Sequence, residues 1–134
     1  MVIYSLAAPR RTTPDGTTYT SVLKPVGEPF TNLSWNAKDN SLTTVTLEPA
    51  NEEEVAATVK VMGGEDWSDW IDALHDADVL SEHAVTVAYS YIGPELTYPI
   101  YKEGTIGMAK KNLKECSDGS MKSIRMLVSA LMYL

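Results

Sequence analysis

The run VIYSLAA, at residues 2–8, constrains this fold more than any other stretch of the chain. It is short, apolar and rich in β-branched residues, and it lacks polar alternation, which is typical of an interior strand of a parallel sheet. The run AVTVAYSY, at residues 84–91, is predicted to be a second strand. Helical patterns between the two runs favour a parallel crossover, so we predict an α/β fold, a fragment of a Rossmann-like sheet.

Two blocks separate these strands. Residues 18–24 and 42–48 are rich in threonine and valine, and with the turn signal PDG at residues 14–16 they predict an inserted antiparallel β-hairpin. Asn51 and Glu54 have the spacing of a capping box, and glycines at 63–64 end the helix that follows. A second helix, from about Asp66 to Ala77, has one apolar face that predicts core packing: Trp67, Trp70, Ile71 and Leu74.

Composition limits the function classes. The chain has 134 residues, enough for one domain, and its net charge of −7 argues against nucleic acid or an anionic membrane surface as a general partner. No apolar run approaches ~18 residues, so we expect no membrane insertion. The single cysteine, Cys116, allows no disulfide framework and favours a reducing, cytoplasmic location. His75 and His83 have no second ligand at metal spacing, so no metal site is predicted.

Four tyrosines precede the adjacent lysines Lys110 and Lys111 in the stretch AYSYIGPELTYPIYKEGTIGMAKKN, residues 88–112. Tyr91 ends the second predicted strand, where open α/β sheets bind ligands. Tyr101 and Lys110 would lie on opposite faces of one ideal helix, but they can converge if Tyr101 lies in the loop before it. A phenol near an ammonium group is a good proton donor, whereas plain packing of a tyrosine-rich segment remains the alternative.

The stretch AYSYIGPELTYPIYKEGTIGMAK closely resembles the active-site segment of the trans-2-enoyl-CoA reductases and the V-type enoyl-acyl-carrier-protein reductases. These are long relatives of the short-chain dehydrogenases, with a Tyr-x8-Lys signature that Tyr101 and Lys110 match. VIYSLAAPRRT, SVLKPVGEPF and LEPANEEEVAATVKVMGGEDW resemble the family in the same order. The resemblance covers about residues 2–114 of a single partial domain spanning 1–134, and it implies NADH-dependent reduction of enoyl-CoA or enoyl-ACP thioesters in fatty acid synthesis.

The resemblance also implies roles for individual residues. Tyr101 resembles the family's proton donor, and Lys110 the lysine that binds the cofactor and tunes the tyrosine. Tyr91 resembles the tyrosine that contacts substrate. Leu6 and Ala7 resemble the Leu-Ala pair that lines the cofactor site.

The sequence departs from the family in two places. It has no glycine-rich run of the G-x-G-x-x-G kind, so it lacks a cradle for the pyrophosphate. Residues 115–134 diverge, and SIRMLVSALMYL at 123–134 is predicted to be helical. We therefore expect a fragment that is inactive alone. The alternatives are a non-catalytic α/β module, associating through exposed sheet edges, and an acyl-thioester-binding remnant.

Overall fold

The computed structural model describes residues 1–5, 8–91, 93–119 and 125–131, the last range by its backbone. The elements follow in the order β1 (Val2–Tyr4), β2 (Arg10–Thr12), β3 (Thr18–Thr20), β4 (Phe30–Asn36), β5 (Ser41–Leu47), α1 (Glu52–Met62), α2 (Glu65–Asp76), β6 (Val85–Tyr91), a 3-10 turn (Glu95–Thr97), α3 (Thr105–Gly119) and β7 (Arg125–Leu131).

Within the described residues, β1, β6 and β7 form a parallel sheet with β6 in the middle. Tyr4 aligns with Ala88 and Tyr91 aligns with Leu131, so the carboxyl ends of the three strands lie at one edge of the sheet. The crossover from β1 to β6 contains α1 and α2, and α3 connects β6 to β7. The predicted α/β class with a parallel sheet is confirmed.

The inserted block forms two antiparallel hairpins instead of one. The PDG turn is confirmed: it joins β2 to β3, and Gly16 has a positive φ of 88° there. The second hairpin pairs β4 with β5 along their full length, from Phe30 opposite Leu47 to Asn36 opposite Ser41. The first hairpin was missed because a three-residue strand containing two arginines carries almost no apolar signal.

The two helices begin and end close to their predicted positions. Asn51 caps α1, its side chain accepting from the backbone of Glu54, whose carboxylate accepts in return from the Asn51 N–H. On α2, Trp67 and Ile71 are buried and pack with Leu113 and two alanines of the β6 segment.

The core role predicted for Trp70 is wrong, because 56% of that residue is exposed. The face of α2 that meets the sheet is centred on Trp67 and Ile71, and Trp70 lies on its flank, beside β1. The four-residue apolar stripe is therefore wider than the surface that the sheet covers.

The helix predicted at 123–134 is also wrong. Residues 125–131 form β7, which pairs with β6 from Val85 opposite Arg125 onward. A seven-residue apolar run cannot be assigned to helix or strand by periodicity alone. Here the run forms a strand because it pairs with the side of β6 that β1 leaves open. α3 accordingly continues beyond the expected end near Leu113, to Gly119.

Candidate active site

The candidate site lies beyond the carboxyl end of β6, where parallel sheets place their ligand-binding residues. Tyr91 is the last residue of that strand. The chain then passes through Gly93, the 3-10 turn and a turn that contains Tyr101 before it enters α3. Tyr101 thus lies in the loop before the helix, which is the placement that convergence with Lys110 requires.

Tyr91 and Tyr101 are brought into direct contact. Their ring centroids are 5.3 Å apart and the ring planes meet at 85°, an edge-to-face pair. This geometry suits the charge distribution of aromatic rings and stabilises both side chains beyond their loss of exposed area. The two phenols that the resemblance singles out therefore share one surface.

Gly93 lies against the same phenol ring. Its φ of +74° belongs to the left-handed region, which residues other than glycine rarely adopt. A Cβ at this position would lie 3.3 Å from both Cβ and Cγ of Tyr101 and 2.7 Å from the Thr97 hydroxyl oxygen. The sequence around Gly93 gives no sign of this contact, because Gly93 and Tyr101 lie eight positions apart.

The backbone of the turn rests on α3 at Gly107. A Cβ added there would overlap the carbonyl oxygen of Lys102 and lie 2.8 Å from that of Tyr101. Lys110 comes three residues later, on the same face of the helix. Because helical side chains lean toward the N-terminus, this spacing favours an approach of the Lys110 side chain to the part of α3 that the Tyr101 turn covers.

Lys110 is half-buried and has no hydrogen-bond or ion-pair partner among the described residues, Tyr101 included. Burial lowers the pKa of its ammonium group below the usual lysine range, because the charged form loses solvation. An amine of this kind has donors to offer to a ligand hydroxyl.

The start of α3 is fixed by a buried threonine. The Thr105 N–H donates to the carbonyl of Lys24 at 3.0 Å, and its hydroxyl donates to the carbonyl of Val22 at 2.5 Å. Thr105 is fully buried. The segment after β3 therefore sets the position of the helix that carries Lys110.

Leu6 and Ala7, the residues matched to the cofactor-lining pair, lie outside the described residues. β1 ends just before them at Tyr4, whose hydroxyl donates to Asp66 at 2.9 Å. Burial and the bond to Asp66 raise the pKa of the Tyr4 phenol far above its ordinary value.

The Arg11 guanidinium is bound by hydrogen bonds and ion pairs within the protein. It donates to the Lys60 carbonyl at 2.9 Å and pairs with Glu65, Asp66 and Asp69 at 3.0 to 3.4 Å. Its side chain is 10% exposed. The guanidinium joins β2 to the end of α1 and the first turns of α2.

The other chemically active residues lie away from this site. His75 and His83 are exposed, in a helix and a turn as expected. Burial raises the pKa of the Cys116 thiol, which makes it a poorer nucleophile at neutral pH. None of the helices in the described ranges is long and apolar enough to cross a membrane.

Comparison with known proteins gives consistent matches. The model of the family described as the trans-2-enoyl-CoA reductase catalytic region matches residues 1–130, well past residue 114, where the motif resemblance ended. An enoyl-acyl-carrier-protein reductase (NADH) from Opitutus terrae is 56% identical over 118 residues, which cover 87% of this chain and 30% of that protein. A trans-2-enoyl-CoA reductase (NADH) from Clostridium perfringens is 52% identical over 128 residues, 95% of this chain and 33% of that one.

A solved structure shows the same fold. The crystal structure of Treponema denticola trans-2-enoyl-CoA reductase in complex with NAD matches with a TM-score of 0.88 and 48% identity. The match covers 98% of this chain and 34% of the other. The chain thus spans about a third of the length of the relatives that it matches.

Proposed function

Since the chain belongs to the trans-2-enoyl-CoA reductase family, we propose that it carries the acid–base part of an enoyl-thioester reductase of fatty acid synthesis. The reaction is reduction of the trans-2 double bond of an enoyl-CoA or enoyl-ACP. The observation that carries the proposal is the Tyr91–Tyr101 ring contact beyond β6, beside a helix whose half-buried Lys110 has no partner within the described part of the chain.

Tyr101 is the proposed proton donor. Reduction at the β-carbon puts negative charge on the thioester oxygen, and a phenol beside that oxygen stabilises it by a hydrogen bond or by proton transfer. Tyr91, held against the same ring, is the proposed contact to the acyl thioester. Tyr91 is the last residue of β6, so the strand orients its side chain, and the ring contact relates Tyr101 to it.

The chain fits one end of NADH and not the other. Bound NADH would supply the hydride. An ammonium group without a protein partner suits the hydroxyls of the nicotinamide ribose, and Lys110 is such a group among the described residues. Leu6 and Ala7 are proposed to line the nicotinamide end of the cofactor site. The pyrophosphate has no comparable fit, because the sequence contains no glycine-rich phosphate loop.

We propose accordingly that the chain alone does not turn over and needs a partner segment. β1 has no strand on its outer side within the described part of the chain. Next to that edge lies a groove of about 320 Å³ lined largely by apolar side chains, among them Ile3, Trp67, Trp70 and Leu74. An uncovered strand edge beside an apolar groove favours association with a further strand.

The proposed setting is the reducing cytoplasm. Cys116 is a free thiol in the described structure, and the chain contains no second cysteine to pair with it. The names of this chain's relatives give trans-2-enoyl-CoA and enoyl-acyl-carrier-protein as the compounds that they reduce.

The test replaces the matching third of the Clostridium perfringens reductase with this chain and follows NADH oxidation with crotonyl-CoA. We expect the chimera to be active, Tyr101→Phe to abolish that activity, and Tyr89→Phe, which alters an exposed tyrosine of β6, to retain it. Full activity of the Tyr101→Phe chimera contradicts the proposed donor. Crotonyl-CoA binding by the isolated chain, with an inactive chimera, favours a thioester-binding remnant.

A further inference from the structure

Tyr101 is held at the end of a turn whose backbone hydrogen bonds are mostly internal. Its N–H donates to the Thr97 carbonyl at 3.0 Å, and the Glu103 N–H donates to the Tyr98 carbonyl at 2.8 Å. Lys102 lies over the Tyr98 ring, 4.5 Å from its centroid. These contacts shape the turn, but its position between β6 and α3 depends on contacts with those elements.

Two glycines supply such contacts from opposite sides. At Gly93, after β6, any Cβ would lie 2.7 Å from the Thr97 hydroxyl oxygen and 3.3 Å from Cβ and Cγ of Tyr101, all tighter than ordinary van der Waals contact. At Gly107, on α3, any Cβ would overlap the Lys102 carbonyl and press on that of Tyr101. One glycine thus limits the ring and the other limits the backbone of the same residue.

We propose that Gly93 and Gly107 are positioning residues for Tyr101, fixing its phenol between Tyr91 and the face of α3 that carries Lys110. The proposal rests on the proposed role of Tyr101 in the reaction. It accounts for the eight residues between Tyr101 and Lys110, because some of them form a turn. That turn approaches α3 at Gly107, where a side chain is absent. The approach of Tyr101 to the helix that carries Lys110 is then a matter of backbone contact, set by glycines that touch no substrate.

The chain offers matched controls for both positions. Gly27 has a φ of +92°, and a Cβ added there meets nothing within 4 Å, so Gly27→Ala carries the backbone strain of Gly93→Ala without the ring contact. Gly119 is at the end of α3, and a Cβ there also meets open space, so Gly119→Ala controls for Gly107→Ala.

The experiment uses the full chain with ¹³C-labelled tyrosine rings, assigned with Tyr101→Phe. We expect Gly93→Ala and Gly107→Ala to abolish the nuclear Overhauser contact between the Tyr91 and Tyr101 rings and to shift the Tyr101 signals. The indole N–H signal of buried Trp67 should stay in place, which shows that the core is intact. Both control variants should keep the ring contact. Retention of that contact in the test variants, or its equal loss in the controls, overturns the proposal.

A second measurement covers the case in which Gly93→Ala fails to fold. Removing the ring in the double variant Gly93→Ala/Tyr101→Ala should recover stability. Gly93→Ala/Thr97→Ala should recover less, because the Thr97 hydroxyl can turn away from the added Cβ by rotation about χ1, whereas the ring packed against Tyr91 cannot. If Thr97→Ala gives the larger recovery, Gly93 makes room for the Thr97 hydroxyl instead, and the proposal fails. None of these measurements needs NADH or a thioester. The positioning role of the two glycines can therefore be rejected without rejecting the proposed function, and the reverse also holds.

Discussion

The indole nitrogen of Trp67 donates a 2.9 Å hydrogen bond to the hydroxyl of Thr86, and both residues are fully buried. The bond joins α2 to β6, the middle strand of the described sheet. The Tyr4 ring stacks on the tryptophan ring with their centroids 6.1 Å apart, which extends the contact to β1. One side chain therefore connects the helix to two neighbouring strands whose carboxyl ends adjoin the candidate site.

Trp67→Phe should lower the free energy of unfolding by about 1–3 kcal/mol, because it leaves a buried hydroxyl unpaired and a small cavity. Trp70→Phe is the matched control, since Trp70 is 56% exposed and its substitution should change stability by less than about 0.5 kcal/mol. Urea denaturation followed by circular dichroism measures both variants. Equal effects of the two substitutions would contradict the assigned core.

Arg11→Ala should destabilise the chain by about 2 kcal/mol, because it leaves the carboxylates of Glu65, Asp66 and Asp69 close together without their shared cation. Arg10, its exposed neighbour in β2, provides the control, and Arg10→Ala should have little effect. Thermal unfolding at low and at high salt tests the cause. Salt screens repulsion among carboxylates, and at 1 M salt the screening length is about 3 Å. The loss of stability caused by Arg11→Ala should therefore be smaller at 1 M salt than at low salt.

Local features of this fold followed from sequence, and distant partners did not. The two partners of the capping box, Asn51 and Glu54, lie three positions apart, so they are visible together in the sequence. The partners of Arg11 lie 49 to 58 residues away, and nothing in the pattern around Arg11 identifies them. The strand at 125–131 depends on an open edge of β6, which is a property of the sheet and not of that segment.

The same distinction holds for the candidate site. Tyr101 and Lys110 were found through motif spacing, and the loop placement of Tyr101 is as expected. The role of Gly93 arises from its contact with a ring eight residues later, which residue type alone does not reveal. Backbone approach therefore needs coordinates, even where the chemistry of a site can be read from its motif.

The Tyr91–Tyr101 ring pair predicts a measurable coupling. In a double-mutant cycle with Tyr91→Ala and Tyr101→Ala, the two losses of stability should be non-additive by about 0.5–1.5 kcal/mol, the usual range for edge-to-face pairs. Tyr89→Ala with Tyr101→Ala is the control cycle, because Tyr89 is 41% exposed on the same strand and should show additivity. Additive losses for Tyr91 and Tyr101 would show that the ring contact is absent in solution.

Lys110 predicts a specific dependence of stability on pH. Burial lowers the pKa of its ammonium group in the folded chain, whereas the unfolded chain keeps a value of about 10.4. Between these two values the unfolded state binds more protons, so the free energy of unfolding contributed by Lys110 rises with pH through that window. Below the window the full cost of burying the charge is present, and above about pH 10.4 it is gone.

Lys110→Met keeps most of the side-chain length without the charge, so it should stabilise the chain at neutral pH by on the order of 1 kcal/mol. The advantage should fall as pH rises through the window and vanish near the unfolded-state pKa, because the wild-type amine is then neutral in both states. Lys111→Met changes an exposed neighbour on α3 and should show neither the gain nor the pH dependence. Urea denaturation at several pH values between neutrality and about 10.4 measures both curves, and a pH-independent gain in Lys110→Met would show that the burial of the charge is not its cause.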